Sequence, residues 1–213
     1  MDPYNETSKT WNKIAALYAE KFMTLALYND SYDRFCSLVS AEKPNILEIG
    51  CGPGNISKYL LAKRPEMQLV GIDNAPNMIQ LAKEYNPNAS FLVMDARDID
   101  SISTKFNGVI CGFCLPYLSK EDATVLIRNS YMLLSHDGIF YLSFVEGDHS
   151  ASGFQRGSTG DATYFYYYEP NFVVGKLIAM NFELLERLEY KYTRNDGTLE
   201  NHIVLIAKKG QIS

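Results

Sequence analysis

Apolar residues along this chain recur with two different spacings, and the two spacings alternate. Short apolar runs of strand length occupy residues 46–49, 69–73, 90–94, 108–113 and 139–144. Between the runs, apolar positions at three- and four-residue intervals predict helices over residues 54–63, 75–84 and 120–134. Strands that alternate with helices are typical of parallel sheets with helices on both faces, so the pattern predicts an α/β fold.

The first 40 residues carry a helical pattern without strands. Apolar side chains recur at helical spacing at Trp11, Ile14, Ala15, Tyr18, Phe22 and Leu25. This stripe predicts one helix that begins near the capping candidates Ser8 and Thr10, and residues 32–39 predict a second. We expect residues 1–40 to form a helical cap, and Trp11 and Tyr18 to pack in its core.

The C-terminal third predicts a loop, a helix and a hairpin. Residues 146–162 are rich in Gly, Ser and Asp and predict a long loop that could act as a lid. A helix is expected from Glu169 and Pro170 to Met180, where Asn181 suits a left-handed C-cap. Strands are predicted at 183–193 and 198–208, joined through the turn at residues 195–197.

The most informative stretch is the glycine-rich turn that follows the first strand. Gly50, Gly52 and Gly54 follow the strand directly and open the next helix, with Cys51 between the first two. Glycine allows a tight turn and close ligand approach, and the helix start offers unpaired N–H groups. The dinucleotide pattern G-x-G-x-x-G is not met, because Asn55 stands where its third glycine would be. Glu48, two residues before the turn, suits a ligand that carries an ammonium group.

Two further strands end in carboxylates. Asp73 follows Gly50 at close to the spacing of about 20 residues at which an acid binds a ribose, and it can accept from both hydroxyls. Asn74 comes next, and Met78 lies where its sulfur could cover one face of an adenine. Asp95 ends the third strand and could accept from an adenine amine. In open α/β sheets such strand ends gather at one edge.

These motifs resemble those of the class I S-adenosylmethionine-dependent methyltransferases of small molecules. The motif of this family is an acid, any residue and Gly-x-Gly-x-Gly at the end of the first strand, which Glu48 to Gly54 match. The resemblance implies a mostly parallel seven-stranded sheet with helices on both faces, a C-terminal antiparallel hairpin with its last strand beside the fifth, and an N-terminal helical cap. It also implies S-adenosylmethionine as the cofactor.

The resemblance assigns further positions to the cofactor site. Asp95 and Ala96 match the place that reads adenine in the family, and Phe113 ends the fourth strand where the methionine part is held and the acceptor approaches. N-terminal helices of the family fold over the cofactor with an Ala-x-x-Tyr repeat, which Ala15 and Tyr18 match loosely. The specific motifs lie between Glu48 and Tyr117.

Each motif also has a structural interpretation. Asp73 and Asp95 could be helix caps, and Met78 could be ordinary core. For the whole chain, a nicotinamide-dependent oxidoreductase shares the first strand, turn and helix, and a cofactor-binding module without turnover is a further alternative. Binding of S-adenosylhomocysteine without a response to NADH would favour the methyltransferase over the oxidoreductase.

Length and charge restrict the class of protein. The chain has 213 residues and a formal charge of −5, which fits one domain and disfavours a nucleic-acid partner, because no basic run occurs beyond Lys208 and Lys209. We expect a core at residues 45–145, an acceptor region at 146–168, and a final helix and hairpin at 169–208. No apolar stretch approaches the ~20 residues of a membrane span. Residues 1–9 are polar and predict no secretory leader, which favours the cytoplasm.

Candidate chemistry outside the glycine turn is sparse. Cys111 and Cys114 are spaced as a C-x-x-C pair, but no further ligands lie nearby, so a buried structural pair is expected and no metal. Methyl transfer needs a base only if the acceptor must lose a proton. His149, in the predicted lid, is the one histidine considered for that role, whereas His136 and His202 fall in a turn and a hairpin strand. The acceptor atom and the oligomeric state are left open by these residues.

Overall fold

A seven-stranded sheet organises the chain. The computed structural model describes residues 2–157, 159–194 and 196–211. The strands of the sheet are β1 (Asn45–Ile49), β2 (Gln68–Asp73), β3 (Ser90–Val93), β4 (Phe106–Cys111), β5 (Leu134–Val145), β8 (Phe182–Thr193) and β9 (Leu199–Lys209), and a separate two-stranded sheet pairs β6 (Gly153–Arg156) with β7 (Ala162–Phe165). The order β3-β2-β1-β4-β5-β9-β8 is parallel through β5, and β9 runs antiparallel between β5 and β8. The predicted fold class is confirmed.

Alternate side chains of the central strands enter two separate cores. Leu47 and Ile49 of β1 pack on one face of the sheet, whereas Ile46 packs on the other. In β5, Phe140 and Leu142 pack in the same core as Leu47 and Ile49, and Tyr141 packs in the same core as Ile46. Successive strand residues point to opposite faces, and both faces are covered, so these strands read as continuous apolar runs.

Seven α-helices accompany the strands within the described residues. They are α1 (Pro3–Lys13), α2 (Ala15–Phe22), α3 (Asn29–Leu38), α4 (Asn55–Lys63), α5 (Pro76–Tyr85), α6 (Lys120–Leu133) and α7 (Pro170–Ala179). Helices α6 and α7 bury Leu126 and Val173 in the core that holds Leu47, and α3 and α4 bury Phe35 and Leu60 in the core that holds Ile46. Helices α3, α4, α6 and α7 are amphipathic because each packs one face on the sheet.

The N-terminal stripe forms two helices, and the predicted start near Ser8 and Thr10 is wrong. Helix α1 begins at Pro3, because the Asp2 side chain accepts from the Tyr4 and Asn5 N–H groups and proline suits the first turn. Helix α1 ends at its C-cap Ile14, where ψ is 14° and the backbone leaves the helical conformation. Thr10 instead donates to the Ala162 carbonyl of β7 at 2.6 Å. Its hydroxyl docks the helix rather than capping it.

The predicted loop over 146–162 contains more structure than expected. A short 3₁₀ turn at His149–Ala151 is followed by the β6–β7 hairpin, whose strands pair from Gly153↔Phe165 to Arg156↔Ala162. Aromatic side chains pack across the paired strands: Phe154 and Tyr164 face each other with ring centroids 5.1 Å apart. The hairpin is held against α1, since the Tyr164 N–H donates to Thr7 at 2.9 Å. Ser158 lies outside the described residues.

The predicted turn at 135–138 lies inside β5. The register shifts between Phe106 and Gly108, which pair with Leu134 and Ile139, so the extra residues form an irregularity within the strand. Asp137 adopts a φ of 57° there, which Asp tolerates. Asn181 has a φ of 61°, which confirms the left-handed stop after α7. Of the turn predicted at 195–197, Asn195 lies outside the described residues.

A buried amide supports the glycine turn from outside the site. The Asn86 side chain is 5% exposed and donates to the carbonyls of Gly54 and Ala82 at 3.1 and 3.2 Å, which ties the start of α4 to the end of α5. Gly54 has a φ of 82°, and a Cβ there would lie 2.5 Å from the Asn86 amide nitrogen. The turn and this asparagine therefore fit only with glycine at position 54.

Asn86→Ala should lower the free energy of unfolding by about 1–2 kcal/mol, because two hydrogen bonds are lost and a small cavity remains. Urea unfolding at neutral pH measures the change. Asn88→Ala, at an exposed position two residues away, is the matched control and should stay within about 0.5 kcal/mol of wild type. Equal stabilities of the two variants would contradict the supporting role of Asn86.

Candidate active site

The glycine turn lies at the carboxyl end of β1 and adopts backbone conformations that other residues rarely reach. Gly50 has a φ of 68°, and an added Cβ would lie 2.7 Å from the Cβ of Cys114. Gly52 has a φ of 51°, and a Cβ there would meet only the Tyr18 ring, at 3.8 Å. The first glycine therefore packs against the loop after β4, whereas the second keeps the backbone open toward a cavity.

Asp73, the last residue of β2, joins the glycine turn to the next loop. One of its carboxylate oxygens accepts from the Gly52 N–H and the other from the Ala75 N–H, both at 2.9 Å. Burial raises the pKa of Asp73, and these two hydrogen bonds lower it in part. A carboxylate has about four acceptor sites, so two of them can still take ribose hydroxyls. The capping and ligand-binding interpretations of Asp73 are therefore compatible.

Asp95 follows the third strand and serves as a cap and an ion-pair partner. Its carboxylate accepts from the Arg97 N–H at 2.9 Å and caps the 3₁₀ turn Ala96–Ser101. The Arg97 guanidinium also holds it with two bonds, at 3.0 and 2.7 Å. Burial raises the pKa of Asp95, but the bonds from Arg97 outweigh burial and the net pKa is lowered. Asp95 is therefore ionised and acceptor-only at neutral pH.

Glu48 is buried in β1 with an incomplete set of hydrogen bonds. The residue is 1% exposed, and its Oε2 accepts from the Ser57 hydroxyl. Its Oε1 is buried and has no hydrogen-bond partner among the described residues. Burial raises the pKa of Glu48 to about 8, against the opposing effect of Ser57. A buried carboxyl oxygen without a partner is rare and fits a ligand that supplies the donor.

Two adjoining cavities bring the predicted site residues together. A smaller cavity of about 130 Å³ lies at the ends of β1, β2 and β3, and a larger one of about 690 Å³ extends from the glycine turn toward β9. The predicted residues that line the smaller cavity are Tyr18, Gly50, Gly52, Asp73, Asn74, Met78, Asp95, Ala96 and Phe113. Tyr18, Gly50, Gly52 and Phe113 line both cavities, and Glu48 and Cys51 line the larger.

His149 and the C-x-x-C pair fall in different places. His149 lines neither cavity; its Nδ1 lies 3.0 Å from the Tyr167 carbonyl and its ring stacks on Tyr166. Cys111 is buried, but Cys114 is half-buried and forms part of the wall of the smaller cavity, so the pair is only partly core. Both thiols are free. Met78 is 3% exposed and packs on Ala15 and Ala75, so it belongs to a core and to the cavity wall at once.

Sequence reasoning missed the polar residues at the far end of the larger cavity. Tyr28, Glu200 and His202 line it, with Arg194 and Gln155 beside them. Glu200 and His202 are two residues apart on β9 and therefore share a face, and residues 203–207 that follow them are all apolar. Two polar residues on one face beside this apolar run were the signal that sequence reasoning could have used. Tyr28 precedes α3 and showed no motif.

Trp11 supplies a second buried polar atom without a partner. Its Nε1 is buried and has no hydrogen-bond acceptor within the described residues, and the residue lines both cavities. The indole packs edge-on against Tyr18 and Tyr117, with ring centroids 5.4 Å apart in each case. An unpaired donor at Trp11 and an unpaired acceptor at Glu48 therefore face a cavity system with room for one extended ligand.

Comparisons with known proteins agree with this geometry. Residues 46–138 match a family model described as a methyltransferase domain. A putative methyltransferase of Invertebrate iridescent virus 6 is 34% identical over 97 residues, which are 46% of this chain and 36% of that protein. A malonyl-[acyl-carrier protein] O-methyltransferase of Paenibacillus sp. (strain JDR-2) is 32% identical over 92 residues, which are 40% of this chain and 33% of that protein. The matched part thus spans about a third of these relatives.

A solved structure extends the similarity to the whole fold. The magnesium protoporphyrin IX methyltransferase of Synechocystis PCC 6803, solved with bound S-adenosylmethionine, superposes with a TM-score of 0.71 at 16% identity, covering 99% of this chain and 98% of that one. The family match over residues 46–138 and this superposition confirm the resemblance to the class I S-adenosylmethionine-dependent methyltransferases. No helix within the described ranges is long and apolar enough to cross a membrane.

Glu48→Gln should flatten the dependence of stability on pH. The folded chain keeps a proton on Glu48 up to about pH 8, whereas the unfolded chain releases it above about pH 4.3. The stabilising contribution of Glu48 is therefore complete below about pH 4.3 and is lost as the pH rises to about 8. The free energy of unfolding of wild type minus that of the variant should fall steadily across this window. Urea unfolding at a series of pH values measures it, and parallel curves would contradict the buried, protonated state.

Proposed function

We propose that this chain transfers a methyl group from S-adenosylmethionine to a small-molecule acceptor. Residues 46–138 match a family model described as a methyltransferase domain, and the fold is that of the class I S-adenosylmethionine-dependent methyltransferases. The observation that carries the proposal is the convergence of the glycine turn, Asp73 and Asp95 on one cavity at the carboxyl ends of three adjacent parallel strands. Ligands of open α/β sheets bind at this edge.

The residues around the smaller cavity suit the nucleoside. Asp73 would accept from the ribose hydroxyls, and Met78 would cover a face of the adenine. Asp95 and the backbone of Ala96 would read the adenine edge, while Arg97 holds the Asp95 carboxylate in place. Asn74 borders the same cavity, and its side chain forms a hydrogen bond with Asp95.

The two unpaired buried atoms suit the amino-acid part. Glu48 Oε1 lacks a donor and Trp11 Nε1 lacks an acceptor within the described chain. An α-amino acid carries an ammonium donor and a carboxylate acceptor, so it satisfies both atoms together. Neutralisation of a buried carboxyl by an ammonium group would also release the proton that burial keeps on Glu48. The chemistry of these donors and acceptors therefore fits S-adenosylmethionine better than a dinucleotide.

Catalysis by this chain rests on orientation and exclusion of water. When bound, the cofactor supplies an electrophilic methyl group on a sulfonium, so the protein needs to hold the acceptor in line with it. Trp11, Tyr18 and Tyr117 surround the junction of the two cavities and would exclude water from it. Positioning of this kind can contribute several kcal/mol to lowering the barrier.

The acceptor region is expected in the larger cavity, between the helical cap and the β6–β7 hairpin. Thr163 and Phe165 of β7 line it, and Lys13 of α1 pairs with Asp161 beside the hairpin at 2.7 Å. Its volume of about 690 Å³ lies in the usual range for small-molecule sites. We assign residues 1–40 and 146–168 to the cap and acceptor region, around a core at 45–145 and ahead of the final helix and hairpin at 169–208. Four free cysteines support a cytoplasmic setting.

The activity is tested by release of S-adenosylhomocysteine from S-adenosylmethionine in the presence of separate panels of amines, carboxylates and phenols. Acceptor-dependent release of S-adenosylhomocysteine is expected. Tight binding of S-adenosylmethionine without release in any panel would favour a binding module without turnover.

Asp73→Asn should weaken binding of S-adenosylhomocysteine by about 10- to 100-fold, because a charge-assisted hydrogen bond contributes about 1.5–3 kcal/mol. Isothermal titration measures the affinity, and circular dichroism checks the fold. Asp100→Asn, at an exposed position in the turn after β3, is the matched control and should bind like wild type. Unchanged affinity in Asp73→Asn, or binding of NADH in place of S-adenosylhomocysteine by wild type, would contradict the proposal.

Glu48→Gln and Trp11→Phe should act on the amino-acid part alone. Both should weaken S-adenosylhomocysteine by about tenfold, the effect of one lost hydrogen bond, and leave 5′-methylthioadenosine unaffected because it lacks the amino-acid group. Titration of both ligands into each variant gives the comparison. If a variant lost affinity for the two ligands equally, its side chain would support the fold of the cavity and not the amino-acid group.

A further inference from the structure

Three polar side chains at the far end of the larger cavity form a continuous chain of hydrogen bonds. The Tyr28 hydroxyl lies 2.6 Å from Nδ1 of His202, and Nε2 of His202 lies 3.1 Å from a carboxylate oxygen of Glu200. All three residues line the cavity, although Tyr28 and His202 are each only 6% exposed. They come from opposite ends of the chain, so only the fold brings them together.

The donor and acceptor roles in these hydrogen bonds follow from the charges of Tyr28 and Glu200. Burial raises the pKa of Tyr28 well above its ordinary value, so the hydroxyl is neutral and donates to Nδ1 of His202. Burial also raises the pKa of Glu200, but the hydrogen bonds from His202 and Arg194 outweigh it and the net pKa is lowered. Glu200 is therefore an anion that accepts from Nε2–H. In the tautomer that donates Nε2–H to Glu200, His202 presents its Nδ1 lone pair toward Tyr28 with a carboxylate behind it, which is the arrangement of an oriented general base.

Surrounding groups hold this arrangement rigidly. Arg194 donates to Glu200 at 3.0 Å and to Gln155 at 3.2 Å, which fixes the carboxylate. The Tyr192 ring stacks on His202 with centroids 5.0 Å apart. The remaining titratable groups that line this cavity are Tyr18, Lys21, Tyr32, Glu48, Cys51, Tyr117, Arg156 and Asp196.

Phe113 connects this network to the proposed cofactor site. Its ring centroid lies 4.9 Å from that of Tyr28 and 5.0 Å from that of His202, and the residue lines both cavities. Phe113 adopts a φ of 55°, a conformation that is uncommon for an aromatic residue, and its N–H is held by the Ser143 hydroxyl at 2.9 Å. The hydrogen-bonded chain therefore lies one side chain away from the wall that the cavities share.

We propose that Tyr28, His202 and Glu200 form a proton relay that deprotonates a hydroxyl acceptor, phenolic or enolic, in the larger cavity. This inference rests on the proposed methyltransferase function and names its substrate class. A carboxylate acceptor has already lost its proton at neutral pH and needs no relay. The aromatic walls of the cavity, from Phe22 and Tyr32 to Phe165, favour a planar aromatic acceptor.

Methyl transfer to the acceptor oxygen leaves one proton on the protein, and the atoms and charges then balance. An oxygen–carbon bond forms and the carbon–sulfur bond breaks, with its electron pair remaining on sulfur. The acceptor proton passes to the Tyr28 oxygen as the Tyr28 proton passes to Nδ1 of His202. Glu200 stabilises the imidazolium that results, and the proton leaves to solvent after the product.

The test combines kinetics with a spectroscopic probe. His202→Gln should slow methyl transfer to phenols by about 10²- to 10⁴-fold and remove the acidic limb of the pH–rate profile, the usual effects of losing a general base. Tyr28→Phe deletes only a hydroxyl, and it should slow the least acidic phenols most. Both variants should bind S-adenosylhomocysteine like wild type.

The probe is 4-nitrophenol, whose ionised form absorbs visible light, added to the protein with S-adenosylhomocysteine. Wild type should hold it as the phenolate below its free pKa, and His202→Gln and Tyr28→Phe should shift that ionisation upward by about one pH unit or more. His136→Gln, in the exposed strand irregularity where the ring pairs with Asp137, is the matched control and should behave as wild type.

Several results would overturn the relay while the methyltransferase proposal stands. They are equal phenol rates and equal probe ionisation in wild type and His202→Gln, absence of phenol binding by wild type, or transfer by wild type to carboxylates and not to phenols. Failure of wild type to bind S-adenosylhomocysteine, measured separately by titration, would instead overturn the proposed function itself.

Discussion

The site depends on one carboxylate that holds two loops together. Asp73 accepts from the backbone of Gly52 on one side and of Ala75 on the other, so the turn after β1 and the loop after β2 share a single anchor. The Cys51 N–H adds a bond to the Ile72 carbonyl at 2.9 Å, which continues the pairing of the two strands into the turn. Because parallel strands end at the same edge, this local pairing is enough to place an acid beside a glycine backbone.

Burial gives that edge its electrostatic character. Glu48 and Asp73 both lie inside the protein, where desolvation raises the pKa of each, and only Asp73 is compensated by two backbone donors. Asp95 differs because Arg97 keeps it ionised. The three acids therefore lie in three different environments. An ammonium group beside Glu48 would favour its ionised form, because no other donor within the described residues compensates its second oxygen.

The parts of the structure that local patterns determine could be predicted from the sequence, and the parts that distant contacts determine could not. The strands and the strand-end acids follow from apolar periodicity and spacing, whereas the place of the last strand beside the fifth was expected from the family resemblance. The family match covers residues 46–138. Thr10 was misread as a cap because the partner of its hydroxyl, the Ala162 carbonyl, lies 152 positions away, whereas the local signal for the start of α1, Asp2 before Pro3, was overlooked. The β6–β7 hairpin was missed for a related reason, since its aromatic residues face one another only after pairing. The roles of individual site residues stay predictions that binding measurements decide.

The same reasoning explains why the sequence favoured His149 over His202 as the candidate base. His149 was considered because it falls in a polar loop, whereas His202 was set aside because it falls in a strand. A loop position says little about a cavity, and an antiparallel strand inside a sheet can carry a polar pair on one face if another element covers it. Here Tyr28 provides the cover, and its hydroxyl meets His202 across 174 residues of sequence. A buried histidine with a donor on one nitrogen and a carboxylate on the other is costly to assemble unless every member is satisfied, and in this network each bonded atom has its partner. Such complete pairing next to a cavity is what a chain needs in order to move a proton without exposing it to solvent.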